Sequence, residues 1–195
     1  MSLAIVYTRA ALGIEAPLIT VEVHLSNGLP GLTMVGLPET TVKEARDRVR
    51  SALINSGYAF PAKKITINLA PADLPKEGGR YDLPIALALL VASEQLNTTR
   101  LNQYEFVGEL ALTGGLRGVP GAIPSAMEAI KAGRRIVVSS DNAAEVGLIG
   151  GSDCLVADHL QEVCAFLAGQ TSLSPPLAEA PARDERYEDL LDVIG

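Results

Sequence analysis

The side chains best suited to binding or catalysis lie in one glycine- and proline-rich segment, residues 68–84. Five of them carry charge: Asp73, Lys76, Glu77, Arg80 and Asp82. Functional residues often lie on loops that a rigid scaffold holds in place, so one interpretation is a binding or subunit-contact loop. The other is a solvated loop whose glycines allow a tight turn and whose Asp82 caps the next helix. The sequence leaves both interpretations open.

Other common kinds of chemical site have little support. The sequence contains no G-x-x-x-x-G-K-[S/T] phosphate loop, and Gly78-Gly79-Arg80 lacks its spacing and its lysine. His24, His159, Cys154 and Cys164 do not have the spacing of metal ligands. We predict that each histidine lies at the surface or at the end of an element, and that both cysteines are reduced and buried. No metal or cofactor is expected in this segment.

A Ser-His-Asp triad is equally unsupported, because the chain has only two histidines and no G-x-S-x-G motif around a serine. A Ser-Lys dyad requires less: a hydroxyl nucleophile and a lysine whose pKa is lowered by burial. Residues for such a dyad would have to come from loops beside buried helices.

A predicted helix carries the only basic stripe that we distinguish. Lys43, Arg46 and Arg50 could contact phosphates from one helical face. Alternatively, this face is solvated and ion-paired, with Lys43 and Asp47 at i,i+4 spacing. The net charge of −7 and the pI of about 4.9 lack the basic excess that non-specific polyanion binders usually carry. Any contact with nucleic acid must therefore be local or come from elsewhere.

The first half of the chain predicts strands and one long helix. Apolar residues alternate with polar ones over 19–25, which indicates a half-buried strand, and Leu32–Val35 could be its hairpin partner. Thr41 and Glu44 fit a capping box at the start of a helix, and Gly57 is suited to end it.

The remaining pattern predicts an α/β fold with a mixed sheet. Residues 83–92 are apolar nearly all round, as in a central, buried helix. Further strands are predicted at Lys63–Leu69, Glu105–Leu112, Leu116–Val119, Arg135–Ser139 and Cys154–Ala157, and helices at Ala122–Ala132, Asp141–Leu148 and from a cap at Asp158 to Ala168. Thr113-Gly114-Gly115 is typical of a hairpin turn.

Composition changes near residue 170. We expect one domain over 1–169, a Ser-, Pro- and Ala-rich linker over 170–183, and the start of a following domain over 184–195. The chain has no apolar run of membrane-spanning length and no signal-peptide pattern, so a cytoplasmic location without membrane contact is expected.

Two segments resemble the protease domain of Lon-type enzymes. They are Pro75-Lys-Glu-Gly78 with the buried helix that follows it, and the run from Phe106 to Pro120. A closer resemblance, over essentially the whole chain, is to the ComM/YifB family of magnesium-chelatase-like AAA+ ATPases. The motifs that carry it are Ala4-Ile-Val-Tyr-Thr-Arg-Ala10, Val35-Gly-Leu-Pro-Glu-Thr40, Asn68-Leu-Ala-Pro-Ala-Asp73, Glu109-Leu110 and Tyr187-Glu-Asp-Leu-Leu-Asp-Val-Ile-Gly195.

These resemblances imply a Lon-protease-domain-like fold of the ribosomal protein S5 domain 2-like superfold. Arg80 then stands where the nucleophilic serine would be, and Ile123 stands where the dyad lysine would be. Neither residue can perform the chemistry of the residue that it replaces. Ser125 remains nearby, and without an evident partner we expect it on the helix surface.

The implied function is that of a non-catalytic accessory domain in a homo-hexameric AAA+ ATPase. The family resemblance implies a DNA helicase and branch-migration factor in homologous recombination and natural transformation, with ATP and magnesium bound in a following ATPase domain. The expected partners are that domain, neighbouring subunits and DNA. The alternative is a peptidase-like or magnesium-chelatase-like protein-remodelling ATPase in which this segment binds peptide or protein.

Overall fold

Alternating apolar side chains in the first half of the chain build the centre of a seven-stranded sheet. The structure is a computed structural model and describes residues 2–149 and 151–177. The sheet consists of β1 Leu3–Arg9, β2 Leu18–Ser26, β3 Gly31–Val35, β4 Lys64–Ala70, β5 Tyr104–Phe106, β8 Arg135–Ser139 and β9 Cys154–Ala157, and β6 Glu109–Leu110 pairs with β7 Leu116–Arg117 in a separate hairpin.

The sheet order is β3-β4-β2-β1-β5-β8-β9. β2 runs antiparallel to both β1 and β4, whereas β5, β8 and β9 are parallel to one another. Ile19, Val21 and Val23 are fully buried at alternate positions of β2, because successive side chains of a strand point to opposite faces. The predicted α/β fold with a mixed sheet is confirmed.

One predicted pairing is wrong. Residues 32–35 do form a strand, but β3 pairs in parallel with β4 at the sheet edge rather than as the hairpin partner of β2. A helix separates β3 from β4, and such a crossover connects parallel neighbours. β4 itself occupies the position beside β2, which the hairpin would have required β3 to take.

The helices are α1 Glu39–Asn55, α2 Asp82–Ala92, α3 Ala122–Lys131, α4 Ala143–Gly147 and α5 Leu160–Leu167. Three single 3₁₀ turns lie at Gly79–Tyr81, Leu101–Gln103 and Ser140–Asn142. Every residue of α2 except Val91 is buried, which confirms the prediction of a central helix. This helix packs on β1 and β2 and also contacts α1.

Two predicted helix caps are wrong. α1 begins at Glu39, directly after Pro38, so Thr41 and Glu44 lie within the helix and form no capping box. At α5 the cap is His159 rather than Asp158, and the His159 ring nitrogen Nδ1 accepts a hydrogen bond from the Gln161 amide at 3.1 Å. A favourable cap residue type therefore predicts a nearby helix start better than it predicts the residue at which the helix starts.

The segment predicted as one strand over 105–112 is divided in the structure. Its first part belongs to β5 in the main sheet, and only Glu109–Leu110 pairs with Leu116–Arg117 across the predicted turn. Gly114 in that turn has φ +93°, a conformation that favours glycine. The chain thus leaves the main sheet after Phe106 and passes over the start of α2.

Near the end of the described residues, the Val156 amide of β9 donates a hydrogen bond to the Ser174 carbonyl at 3.0 Å. Residues 178–195 lie outside the described part of the chain, and they include most of the predicted linker and the predicted start of a second domain. Among the described residues, no helix has both the length and the apolar character needed to cross a membrane.

Candidate functional site

The five charged residues of the 68–84 segment occupy different environments. Asp73 and Glu77 are exposed, whereas Lys76, Arg80 and Asp82 are buried. The segment is therefore not a uniformly solvated loop, which was one of the two interpretations of its sequence. The three buried charges each have different partners, and those partners decide what each charge can do.

Lys76 closes the loop on itself. Its side chain is 2% exposed, and its ammonium donates hydrogen bonds to the carbonyls of Pro71 and Leu74, the latter at 3.1 Å. Burial lowers the pKa of Lys76, and the nearby Asp73 partly opposes that shift. The bonds to backbone carbonyls indicate a structural role in shaping the loop.

Asp82 joins three elements. It is fully buried at the start of α2, where its carboxylate accepts bonds from Arg48 Nε at 2.6 Å, Arg48 Nη2 at 3.2 Å and the Leu110 amide at 3.2 Å. It makes no cap bond, so the predicted capping role is wrong. Burial raises the pKa of Asp82 to about 6, although the Arg48 guanidinium acts in the opposite direction. Arg48 was not singled out from sequence, but its position between the buried Ala45 and Val49 could have indicated that it faces α2.

Arg80 is the most unusual of the three. It lies in the 3₁₀ turn before α2 and is only 4% exposed. Its Nη1 donates to the Pro120 carbonyl at 3.0 Å, and its Nη2 donates to the Ser125 hydroxyl at 2.9 Å. Its Nε is buried and has no hydrogen-bond partner among the described residues. Burial lowers the pKa of Arg80, but a guanidinium remains charged in proteins.

Ser125 is a fully buried residue of α3, which corrects the expectation that it lies on the helix surface. Its hydroxyl donates to the Gly121 carbonyl at 2.8 Å and accepts from Arg80. Ile123, on the same helix, is half-buried and apolar. The structure therefore brings Arg80 to the helix that carries Ile123, but the residue that it contacts there is Ser125. A guanidinium has no acceptor atom, so Arg80 cannot remove a proton from that hydroxyl.

Arg80 lines a pocket with a volume of about 570 Å³. The pocket lies between the loop before α2, the turn after β1 and the segment that leads into α3. Its walls are formed by Ala11, Leu12, Gly13, Pro75, Glu77, Gly78, Gly79, Arg80, Glu109, Gly118, Val119 and Pro120. We call it the Arg80 pocket.

Lys43, Arg46 and Arg50 of α1 are exposed, and the predicted Lys43–Asp47 pair is wrong. The Lys43 Nζ atom lies 3.8 Å from Glu39 Oε1, and the Arg46 Nε atom lies 3.1 Å from Asp47 Oδ1. The Arg50 guanidinium lies 5.0 Å from the centre of the Phe60 ring. Arg46 and Arg50 line a second surface groove, of about 600 Å³, together with Lys63 of the loop before β4.

A family model described as subunit ChlI of Mg-chelatase matches residues 21–142. The chain belongs to the ChlI family. It is 75% identical over 195 residues to a protein of Salmonella typhimurium named "Uncharacterized protein YifB", and 55% identical over 202 residues to "Competence protein ComM" of Haemophilus influenzae. An uncharacterized protein of Mycobacterium tuberculosis is 36% identical over 196 residues. In each case the whole chain is matched, and it spans only 38–39% of the relative's length.

These matches support the assignment of the chain to a magnesium-chelatase-like member of the AAA+ family. The ChlI match includes Arg48, Arg80, Asp82 and Ser125, and it covers the residues lining the Arg80 pocket except Ala11, Leu12 and Gly13. The polar groups of the 68–84 segment and their partners therefore lie within the part of the chain that the family model matches.

Neither histidine nor cysteine forms a metal centre in the described part of this ChlI-family chain. No group of three or more His, Cys, Asp or Glu residues there is arranged to hold a metal ion. His24 is exposed and His159 caps α5, as predicted for residues at the surface or at element ends. Cys154 and Cys164 are free and buried, which confirms their prediction, and burial raises the pKa of Cys164 to about 11.

Proposed function

We propose that this chain is a non-catalytic accessory domain of a hexameric AAA+ ATPase of the ComM/YifB type. The whole protein would act as a DNA helicase and branch-migration factor in homologous recombination and natural transformation. The observation that carries this proposal is the 55% identity, over the whole chain, to a relative named as a competence protein. ATP and magnesium would bind in an ATPase domain outside this chain, and the protein would act in the cytoplasm.

The non-catalytic part of the proposal is supported by the chemistry at Arg80 and Ser125. In a Ser-Lys dyad the base must accept the proton of the hydroxyl. Here the hydroxyl of Ser125 donates to a backbone carbonyl and accepts from a guanidinium. Neither partner can act as the base that takes up the proton of the hydroxyl.

The decisive experiment compares the full-length protein with a version that lacks residues 1–170. We expect the intact protein to hydrolyse ATP faster when branched DNA is added, and to move DNA junctions. The truncated protein should retain ATP hydrolysis but lose hexamer assembly or the stimulation by DNA. An intact protein whose ATPase rate no DNA changes would contradict the motor function, and a truncation with no effect would contradict the accessory role.

A peptidase assay tests the non-catalytic assignment separately. We expect no cleavage of casein or of a fluorogenic peptide by the 195-residue chain. Cleavage that disappears in an Arg80→Ala variant, but persists in an Arg46→Ala control, would overturn the assignment.

DNA contact is proposed to depend mainly on other parts of the whole protein. With a net charge of −7, this chain should bind DNA weakly or not at all at about 150 mM salt. Lys43, Arg46 and Arg50 remain the proposed phosphate contacts if local binding occurs. A fluorescence-anisotropy titration with sub-micromolar affinity would contradict this expectation.

A second candidate function is protein remodelling, in which this segment binds a peptide or protein. The Arg80 pocket favours it, because the pocket combines a cation, backbone groups and apolar walls within about 570 Å³. The ATPase assay with branched DNA distinguishes the two functions. Only the DNA motor predicts a rate of ATP hydrolysis that depends on DNA structure.

A further inference from the structure

The two edges of the main sheet differ. At one edge, β9 is covered by the chain itself, because the Val156 amide donates a hydrogen bond to the Ser174 carbonyl at 3.0 Å. At the other edge, β3 pairs with β4, and no backbone segment within residues 2–149 and 151–177 pairs with its outer side. An edge strand presents a row of backbone donors and acceptors that can pair with another chain. The outer side of β3 is therefore open to an added strand.

The register of β3 identifies the backbone groups that face this open side. The Gly31 amide donates to the Lys63 carbonyl, on the side of β4, at 3.3 Å. In a parallel pair, the N–H and C=O groups of alternate residues point to the same neighbouring strand. The odd-numbered residues of β3 therefore bond toward β4, and the N–H and C=O groups of Leu32 and Met34 point outward. An added strand would find two donors and two acceptors there, with the pairing to β4 unchanged.

β3 lacks the features that usually protect an edge strand. Proteins block such edges with charged side chains, proline or a β-bulge. The five residues Gly31–Val35 include no charge and no proline, and they pair with β4 in an uninterrupted register. Thr33 and Val35 are exposed as well. Nothing within the strand itself therefore prevents the addition of another strand.

The second surface groove, beside the start of β3, indicates which partner suits this edge. Leu32 and Phe60 contribute apolar walls to its volume of about 600 Å³. Its cations are all exposed, and they are Arg46, Arg50 and Lys63. The acid among its lining residues is Asp47, which already lies 3.1 Å from Arg46 Nε. The groove is thus locally basic in a chain whose net charge is −7.

We propose that β3 and this groove together bind an extended acidic segment of another protein by strand addition. The backbone of that segment pairs with Leu32 and Met34, and its carboxylates on the side of α1 contact Arg46 and Arg50. A second copy of this chain suits the edge less well, because it brings the same cations against these arginines. Nucleic acid, the competing occupant of the two arginines, has no backbone N–H groups for the outward carbonyls. The inference depends neither on the DNA motor nor on the Arg80 pocket.

The experiment follows the fluorescence anisotropy of a labelled short peptide, in which Glu alternates with Thr or Val, during titration with the 195-residue chain. We expect saturable binding, and binding at least about tenfold weaker when Gln replaces Glu, because charge-assisted hydrogen bonds are lost. A labelled thymidine oligonucleotide is the comparator and should bind more weakly than the acidic peptide. Equal binding of the Glu and Gln peptides, or no saturable binding, would overturn the proposal. An oligonucleotide that binds as tightly as the acidic peptide would assign the arginines to nucleic acid instead.

Backbone methylation of the peptide separates strand addition from simple attraction between charges. An added strand directs alternate amides toward β3 and the others away from it. Methylation of one alternate set of peptide nitrogens should therefore abolish binding, whereas methylation of the other set should leave it nearly unchanged. Equal effects of the two methylated peptides would contradict strand addition, whatever the affinity of the unmodified peptide.

Two variants of the chain test the two parts of the site. Arg50→Gln should weaken binding of the acidic peptide about tenfold, whereas the control Arg117→Gln, at a side chain 64% exposed on the β6–β7 hairpin, should change nothing. Met34→Pro removes an outward N–H, a change that edge strands tolerate, and should abolish binding. If Met34→Pro does not fold, the methylated peptides decide. A dimer of the unmodified chain in sedimentation that Met34→Pro dissociates would assign the edge to a second copy and overturn the proposal.

Discussion

Two arginines of this chain are equally buried but have opposite surroundings. Arg9 is 5% exposed and Arg80 is 4% exposed. The Nε and Nη2 atoms of Arg9 donate to the two oxygens of Glu105 at 2.6 and 2.7 Å, and its Nη1 donates to the Ala16 carbonyl at 3.1 Å. Arg80 has neutral partners only, and its Nε has none among the described residues. Equal burial can thus accompany very different surroundings: Arg9 is paired with a carboxylate, whereas Arg80 contacts only neutral oxygens.

The cluster around Arg9 is complete without a ligand. Glu105 is fully buried and also accepts a bond from Arg134 Nε at 2.9 Å. Arg134 in turn lies 4.6 Å from the centre of the Tyr7 ring. These contacts join β1, β5 and the residue before β8, so the cluster connects neighbouring strands in the middle of the sheet.

The largest expected loss of stability follows from neutralising Glu105, the acid of this cluster. Glu105→Gln leaves Arg9 buried without its counter-charge and should lower the free energy of unfolding by about 3–5 kcal/mol. Urea denaturation measures the change. Glu39→Gln is the matched control, because the Glu39 side chain is 89% exposed and its loss should cost below about 0.5 kcal/mol. Equal losses in the two variants would mean that the cluster contributes nothing beyond a surface pair.

The second prediction concerns the pH dependence of stability at the Arg48–Asp82 ion pair, in which Asp82 is buried and Arg48 is partly exposed. The pKa of Asp82 is raised from 3.8 to about 6 in the folded protein, so the native state binds more protons than the unfolded state between these values. The contribution of Asp82 to stability is therefore present at low pH and is lost as the pH rises from about 4 to about 6, by about 2–3 kcal/mol. We expect the stability of the wild type relative to Asp82→Asn to fall over this range.

Carbon-13 NMR of the Asp82 carboxyl provides a direct measurement, with an expected midpoint near pH 6. Asp47→Asn is the control for the stability series, because Asp47 is 68% exposed and its replacement should leave the pH dependence unchanged. A midpoint below pH 4 would show that the Arg48 guanidinium, and not burial, has the larger effect on the pKa of this carboxyl.

A third prediction tests Arg80 against Arg9 directly. Arg80→Met removes a buried charge that has no acidic partner, so the lost hydrogen bonds and the recovered desolvation energy should nearly cancel. We expect the free energy of unfolding to change by less than about 1 kcal/mol. The parallel Arg9→Met variant should lose more, since it leaves Glu105 with one cation in place of two. A loss of 3 kcal/mol or more in Arg80→Met would remove the contrast between the two arginines.

The smallest effect is expected on the exposed face of α1. Lys43 and Glu39 are 67% and 89% exposed, and their charged atoms lie 3.8 Å apart. Lys43→Ala should change the free energy of unfolding by less than about 0.5 kcal/mol, because such pairs are screened and cost side-chain entropy. Thermal denaturation at low and high salt measures it. A strong salt dependence would indicate that this face contributes to a larger charge network.

Sequence reasoning succeeded where structure depends on neighbours along the chain. The alternation in β2 and in β4 predicted both strands, and the continuous apolar run after Asp82 predicted the buried helix α2. It failed where two candidates competed for one position, as for β3 beside β2, because a sequence pattern does not state which strand becomes the neighbour. It also failed at local caps, where Asp82 had a stronger partner in Arg48 than the helix end.

The sequence by itself indicated the helices and every strand except β1, the buried faces of β2 and β4, the central helix and the segment in which the charges are concentrated. Only the tertiary structure decided which charges are paired. The partners of Arg9, Arg80 and Asp82 lie 96, 45 and 34 positions away along the chain. Such contacts depend on strand order and on helix packing, whereas a periodic pattern depends only on residues a few positions apart. For that reason Arg9 and Arg80 could not be told apart until the fold placed Glu105 beside one and a pocket beside the other.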